Sequence, residues 1–234
     1  MITLPLAQAS SLADPAALAA ATRAVNLLGA LMLVSAFFIL AAKRLDHAIY
    51  ASAAQSLLLA LAGAILADAT GVRHLWVIAA ITFVLKGLIL PRILMFIVER
   101  LRVDPAIEPT PLVRAPLFLA TGMVLLSFHV TEPLSRLKQA VTGDALPYGI
   151  SLTLVGIFIM IARKKAITQM VGLYTSENGI FFTGMAVSHG MPLFVEIGVV
   201  LDVALGMLVM AILLFRVRST MDVVDIDDLH HLRG

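Results

Sequence analysis

Three carboxylates and one ammonium stand where the chain is otherwise apolar. Glu177 lies in "QMVGLYTSENGIFF", Glu196 and Asp202 lie in "LFVEIGVVLDVALGMLVMAILL", and Lys86 lies in "VLKGLILPRIL". An Asp or Lys at the centre of a membrane helix costs about 2.5–3.5 kcal/mol, so such residues are rare and mark ion paths or proton relays. Carboxylates and an amine held close together away from water titrate as a set. A change of charge at one of them is then felt by the others, which is the chemistry a proton wire needs. Glu177 and Asp202 both fall near the middle of their apolar runs. Glu196 is six residues before Asp202, about 9 Å along a helix and about 120° around it. It extends the same path outward and points to a different face. Lys86 is the charge partner or a further relay.

Other chemistries have less to stand on. The chain contains no cysteine, which excludes a thiolate metal site, a cysteine-ligated cluster, a disulfide framework and a cysteine nucleophile. His47, His129, Glu132 and His189 fall at the ends of apolar runs, where water or the interface solvates them. The tail "MDVVDIDDLHHLRG" mixes acids with a histidine pair and reads as a short docking segment, with Val223, Val224, Ile226 and Leu229 as an apolar strip.

The elements that position these residues are membrane helices. Of the 234 residues, 60% are hydrophobic and 14% are charged, with a mean hydropathy of +0.99. Soluble domains carry about 25% charged residues. The fold class is therefore all-α, a polytopic membrane protein. About 20 apolar residues are needed to span, and seven spans are expected, at roughly 24–42, 48–67, 74–99, 112–130, 146–162, 166–188 and 192–215. Asp14 and Pro15 read as the N-cap and first residue of the opening helix, after a short exterior segment.

Seven spans put Lys43, Arg44, Arg100, Arg102, Arg114, Arg163, Lys164, Lys165, Arg216, Arg218 and Arg233 on one side. Only Arg23, Arg73, Arg136 and Lys138 fall on the other. Cytoplasmic loops carry the excess of Lys and Arg. The N-terminus is expected to be periplasmic and the C-terminus cytoplasmic. The basic residues act as topology signals, so the basic balance is no sign of nucleic-acid binding. The polar stretch "TEPLSRLKQAVTGDALP" divides a four-helix region, 1–145, from a three-helix region, 146–234.

Two local irregularities are expected. Pro91 cannot donate a hydrogen bond to the carbonyl of Gly87, so the helix turn beside Lys86 is broken. Asn178 and Gly179 directly after Glu177 predict a second loosening there, as a π-bulge or an inserted water.

The two segments that hold the carboxylates resemble the E component of hydrogenase-4-type membrane-bound nickel–iron hydrogenases. Its C-terminal part is similar to subunit K of respiratory complex I. The specific motifs lie within 166–215, with a weaker echo in "LKGLILPRIL". In the subunit K pattern a basic cytoplasmic turn and an apolar run ending in Gly-Leu precede the first glutamate. Here "RKKAITQMVGLYTSENG" places Tyr174 directly after Gly172-Leu173 and the carboxylate three residues later, at Glu177. That is nearly one turn, which roughly keeps the face and shifts the depth by about 4.5 Å. The second glutamate of the pattern maps onto Asp202.

The resemblance implies a non-catalytic subunit of an oxidoreductase complex in the bacterial inner membrane. Its partners would be antiporter-like and complex-I-like membrane subunits and a peripheral hydrogenase arm. The nickel–iron centre and iron–sulfur clusters would lie in those partners, with no cofactor in this chain. Glu177, Asp202, Glu196 and Lys86 would relay protons, or the chain would couple sodium movement. Two other readings stand beside it. One is a scaffold subunit whose buried charges lock helices together. The other is an autonomous secondary transporter, disfavoured because no inverted repeat is visible.

Overall fold

The structure, a computed structural model, describes residues 15–71, 73–100, 106–107, 114–135 and 143–187. All of them belong to one compact unit, Met1–Val195. The described residues are helical apart from short connections and a single bridge between Arg44 and Ala106.

Helix α1 is described over Pro15–Ala41, and its expected N-cap, Asp14, lies outside the described residues. A tight connection at residues 42–44 leads into α2, Leu45–Thr70. Gly71 ends α2 in the left-handed region, with φ 68°, where a side chain would be strained. The next span is built of three pieces: α3, Arg73–Thr82, a π-helix, Phe83–Ile89, and α4, Leu90–Arg100. Then come α5, Arg114–Ser135, a 3-10 turn at Gly143–Ala145, α6, Leu146–Ala162, and α7, Ala166–Val187.

The π-helix follows from Pro91. Without an N–H at that position the Gly87 carbonyl loses its α-helical donor. The chain answers by widening the preceding turns: the Leu90 N–H donates to Leu85 O, five residues back. Lys86 sits in the middle of this segment. The irregularity expected at Glu177–Gly179 is absent, and α7 is α-helical from Ala166 to Val187. Only one of the two expected loosenings forms, and it lies under the lysine.

Helix α2 is central, packing against α1, α3, the π-helix, α4 and α7. The most extensive pairing is α6 with α7. Glycines let these two backbones approach closely. A Cβ on Gly156 would lie 2.6 Å from the Ser176 Cα, and one on Gly179 would lie 2.7 Å from the Gly149 carbonyl oxygen. Small residues serve this purpose in membranes, where helices associate by close packing.

Four helices among the described residues are long and apolar enough to cross a membrane: Ala16–Ala41, Leu45–Thr70, Leu75–Arg100 and Ala115–Pro133. Seven spans are expected and the described residues give four, for three different reasons. Helix α6 has 17 residues, about 25 Å at 1.5 Å per residue, short of a 30 Å hydrocarbon core. Helix α7 has 22 residues and is long enough, but Thr168, Thr175, Ser176, Glu177 and Asn178 make it polar. The seventh span, 192–215, lies outside the described residues. The outward surface is strongly apolar: Phe118 is 74% exposed and Leu125 66%. Such a surface suits lipid tails, and the architecture is that of a multi-pass membrane protein.

One end of the bundle is basic and tied together. The Ile107 N–H donates to Lys43 O at 2.8 Å, and Lys165 Nζ donates to Ala106 O at 2.6 Å. Arg163 Nη2 donates to Leu40 O. The connections at 42–44, 106–107 and 163–165 therefore meet. Burial holds the Arg163 guanidinium below its usual value.

Candidate functional site

Lys86 and Glu177 meet inside the helix bundle. Lys86 comes from the π-helix and Glu177 from the middle of α7. Lys86 Nζ lies 3.2 Å from Glu177 Oε2, with the two side chains 7% and 2% exposed. The same ammonium sits 4.8 Å from the centroid of the Phe181 ring. Phe181 is one turn beyond Glu177 on α7, so the carboxylate and the ring present one face to the lysine. A desolvated ammonium over an aromatic face gains about 2 kcal/mol. The other carboxylate oxygen, Oε1, is buried and has no hydrogen-bond partner among the described residues. One oxygen of Glu177 is thus engaged by a cation while the second remains able to accept a proton.

Beside this pair lies a neutral polar cluster. Asn178 Nδ2 donates to Gln55 Oε1 and to Ser56 Oγ, both at 3.2 Å. Gln55 Nε2 donates to Met32 O at 3.0 Å, and Ser56 Oγ donates to Ser52 O at 3.1 Å. Gln55 and Asn178 are fully buried and Ser52 and Ser56 nearly so. The cluster therefore ties α1, α2 and α7 together at one depth. Asn178 Oδ1 and Ser151 Oγ are also buried without a hydrogen-bond partner among the described residues. A low-dielectric interior makes such polar groups expensive to leave unmatched.

The four expected site residues divide evenly. The structure brings Lys86 and Glu177 together; Glu196 and Asp202 lie outside the described residues, as does His189. His47, His129 and Glu132 are exposed; His47 stands in the first turn of α2 and the other two in the last two described turns of α5. Asp46, next to His47, forms a two-point pair with Arg44 at 3.0 and 3.1 Å. That pairing raises the Arg44 pKa above its usual value. Gln55 and Ser56 were not singled out from the sequence. The available signal was weak: "SAAQSLLLA" places the one amide of α2 inside an apolar run between two serines. Among the described residues no group of three His, Cys, Asp or Glu side chains is placed to hold a metal ion.

Comparison with known proteins adds a relationship along the whole chain. It is 26% identical over 215 residues to hydrogenase-4 component E of Escherichia coli. The match covers 90% of this chain and 97% of that protein. Component E of Shigella flexneri matches to the same extent. An uncharacterized protein of Mycobacterium tuberculosis is 35% identical over 128 residues, spanning 54% of this chain and 58% of that protein. No family model matches the chain, and no solved structure matches it. The homology to hydrogenase-4 component E is weak in identity and consistent in extent, in agreement with the resemblance carried by "QMVGLYTSENGIFF".

Proposed function

We propose that the chain is a membrane-arm subunit of a complex-I-like hydrogenase and that it takes part in proton translocation. Electron transfer and hydrogen chemistry would occur in other subunits. The single observation that carries the reading is the buried Lys86–Glu177 pair, held in a chain similar end to end to a hydrogenase-4 component. Glu177 Oε1 accepts a proton, and the Lys86 ammonium on the opposite oxygen sets how readily it does so. A change in the charge or position of Lys86 then loads or releases Glu177. Asp202 and Glu196 continue the path. The nickel–iron centre and iron–sulfur clusters belong to partner subunits.

We further propose that α6 and α7 also cross the bacterial inner membrane, with the basic end in the cytoplasm. Two observations support this. The 3-10 turn before α6 adds three residues, about 6 Å, to its 25 Å. Arg163, the residue that follows α6, donates to Leu40 O near the end of α1. Adding the span at 192–215 gives seven.

The test is purification of the tagged chain from native membranes in mild detergent, with mass spectrometry of its companions. Hydrogenase subunits and antiporter-like membrane subunits are the expected result. A chain that purifies alone refutes the reading and brings the autonomous transporter forward.

A second reading has an observation of its own. The bonds of Asn178 to Gln55 and Ser56 also knit three helices, as a scaffold subunit requires. Under that reading Glu177→Gln lowers assembly of the complex; under the first it lowers coupling in an assembled complex.

A further inference from the structure

Arg92 is a charged residue inside a span that neither the site nor the topology accounts for. It lies on the third span, Leu75–Arg100, about five residues from the centre, or about 7 Å at the helical rise. It is exposed. Lys86, Gly87, Leu94, Ile97 and Val98 turn inward from the same span. Leu85, Leu88, Ile89, Arg92 and Phe96 turn outward, at the i, i+3, i+4, i+7, i+11 spacing of one stripe. The stripe is apolar apart from Arg92 and, nearer the basic end, Glu99, which lies seven residues beyond Arg92, about 10 Å along the helix.

A long basic side chain near a membrane surface ordinarily reaches toward water. Arg92 does the reverse. Its Nη1 donates to Leu88 O at 3.3 Å, one turn back toward the centre of the span. The geometry of the helix favours this, because every Cα–Cβ bond leans toward the N-terminus. From the C-terminal half of this span, that direction leads away from the basic end. The end of the helix, Arg100, is eight residues further on, about 12 Å from Arg92. Among the described residues no carboxylate lies against Arg92, and the ion pairs there are Arg44–Asp46 and Lys86–Glu177.

We propose that this outward stripe seats a membrane helix of a partner subunit, and that the partner helix carries an aspartate or glutamate paired with Arg92. Facing lipid, the guanidinium would cost about 2.5–3.5 kcal/mol at mid-depth. A carboxylate meets its planar fork with two parallel bonds, and the flanking Leu88, Ile89 and Phe96 supply the apolar contact. A lipid phosphate is the poorer occupant, since the guanidinium is aimed away from the nearer head-groups. The inference rests on membrane insertion and not on the hydrogenase reading.

The test uses the full chain in its native membrane. A photo-crosslinking phenylalanine analogue replaces Leu88 or Phe96, with Leu125 on α5 as the comparison position. The expected result is an adduct at both positions with one other polypeptide, through a peptide from an apolar segment that contains Asp or Glu. Arg92→Leu is expected to lower that adduct at least tenfold per chain remaining in the membrane. Arg92→Glu combined with Arg at the partner's acidic position is expected to restore it. Adducts with lipid only, adducts only between two copies of this chain, or an unchanged yield in Arg92→Leu would each overturn the proposal. A carboxylate-bearing partner outside any hydrogenase would uphold this inference and refute the proposed function.

Discussion

Neutralising one member of the Lys86–Glu177 pair should be worse than neutralising both. At 3.2 Å and an effective dielectric near 20, the attraction between the two charges is about 5 kcal/mol. Desolvation of both charges offsets much of it, which is why replacing a whole buried pair is often close to neutral. Removing one partner leaves the other charge buried alone and costs about 3–5 kcal/mol. Both Glu177→Gln and Lys86→Met are therefore expected to destabilise the chain by about 3 kcal/mol. Lys86→Met with Glu177→Gln should lose less than either single change. The resulting coupling of about 3 kcal/mol or more is at the top of the range for neighbours in contact. The assay is denaturant unfolding of the purified chain in detergent, followed by circular dichroism. Singles within about 0.5 kcal/mol of the parent, with an additive double, would refute the claim that the two charges depend on each other.

Three further outcomes follow from the packing. Gln55→Ala removes one of the two acceptors of Asn178 and the donor to Met32 O, and is expected to cost about 1–2 kcal/mol in the same unfolding assay. Gly156→Leu drives a side chain into the Ser176 backbone and should abolish stable accumulation in the membrane. Gly122→Leu, with nothing within 4 Å, should leave accumulation unchanged, and the contrast is read by immunoblot. Pro91→Ala restores an N–H to the Gly87 carbonyl and should return Phe83–Ile89 to α-helical register, a structure of the variant showing Lys86 Nζ withdrawn from Glu177. A retained 3.2 Å contact in an α-helical segment would show that the π-helix does not place the lysine.

What was legible in the sequence were the features that carry a large local cost. Lys86 and Glu177 stand out because a charge in an apolar run needs a reason, and Pro91 stands out because it cannot complete a helix turn. The neutral residues were harder to see. Gln55 carries no charge, and its part depends on Asn178, which is 123 positions away. The loosening expected at Asn178-Gly179 did not form because both residues are occupied across helices. Asn178 bonds to Gln55 and Ser56, and Gly179 gives its missing side chain to contact with α6. The pairing of Lys86 with Glu177 joins segments 91 positions apart. No local pattern announces it, although it is the arrangement that buried charges of opposite sign would favour.

The measurement that bears most directly on the central claim is proton translocation by the assembled complex carrying Glu177→Gln. Inverted membrane vesicles would be energised through the complex's own electron donor, and acidification followed with a pH-sensitive dye. The account predicts that the complex that assembles still transfers electrons while acidification per assembled complex falls at least tenfold. Acidification at the parental rate in an assembled Glu177→Gln complex would contradict it.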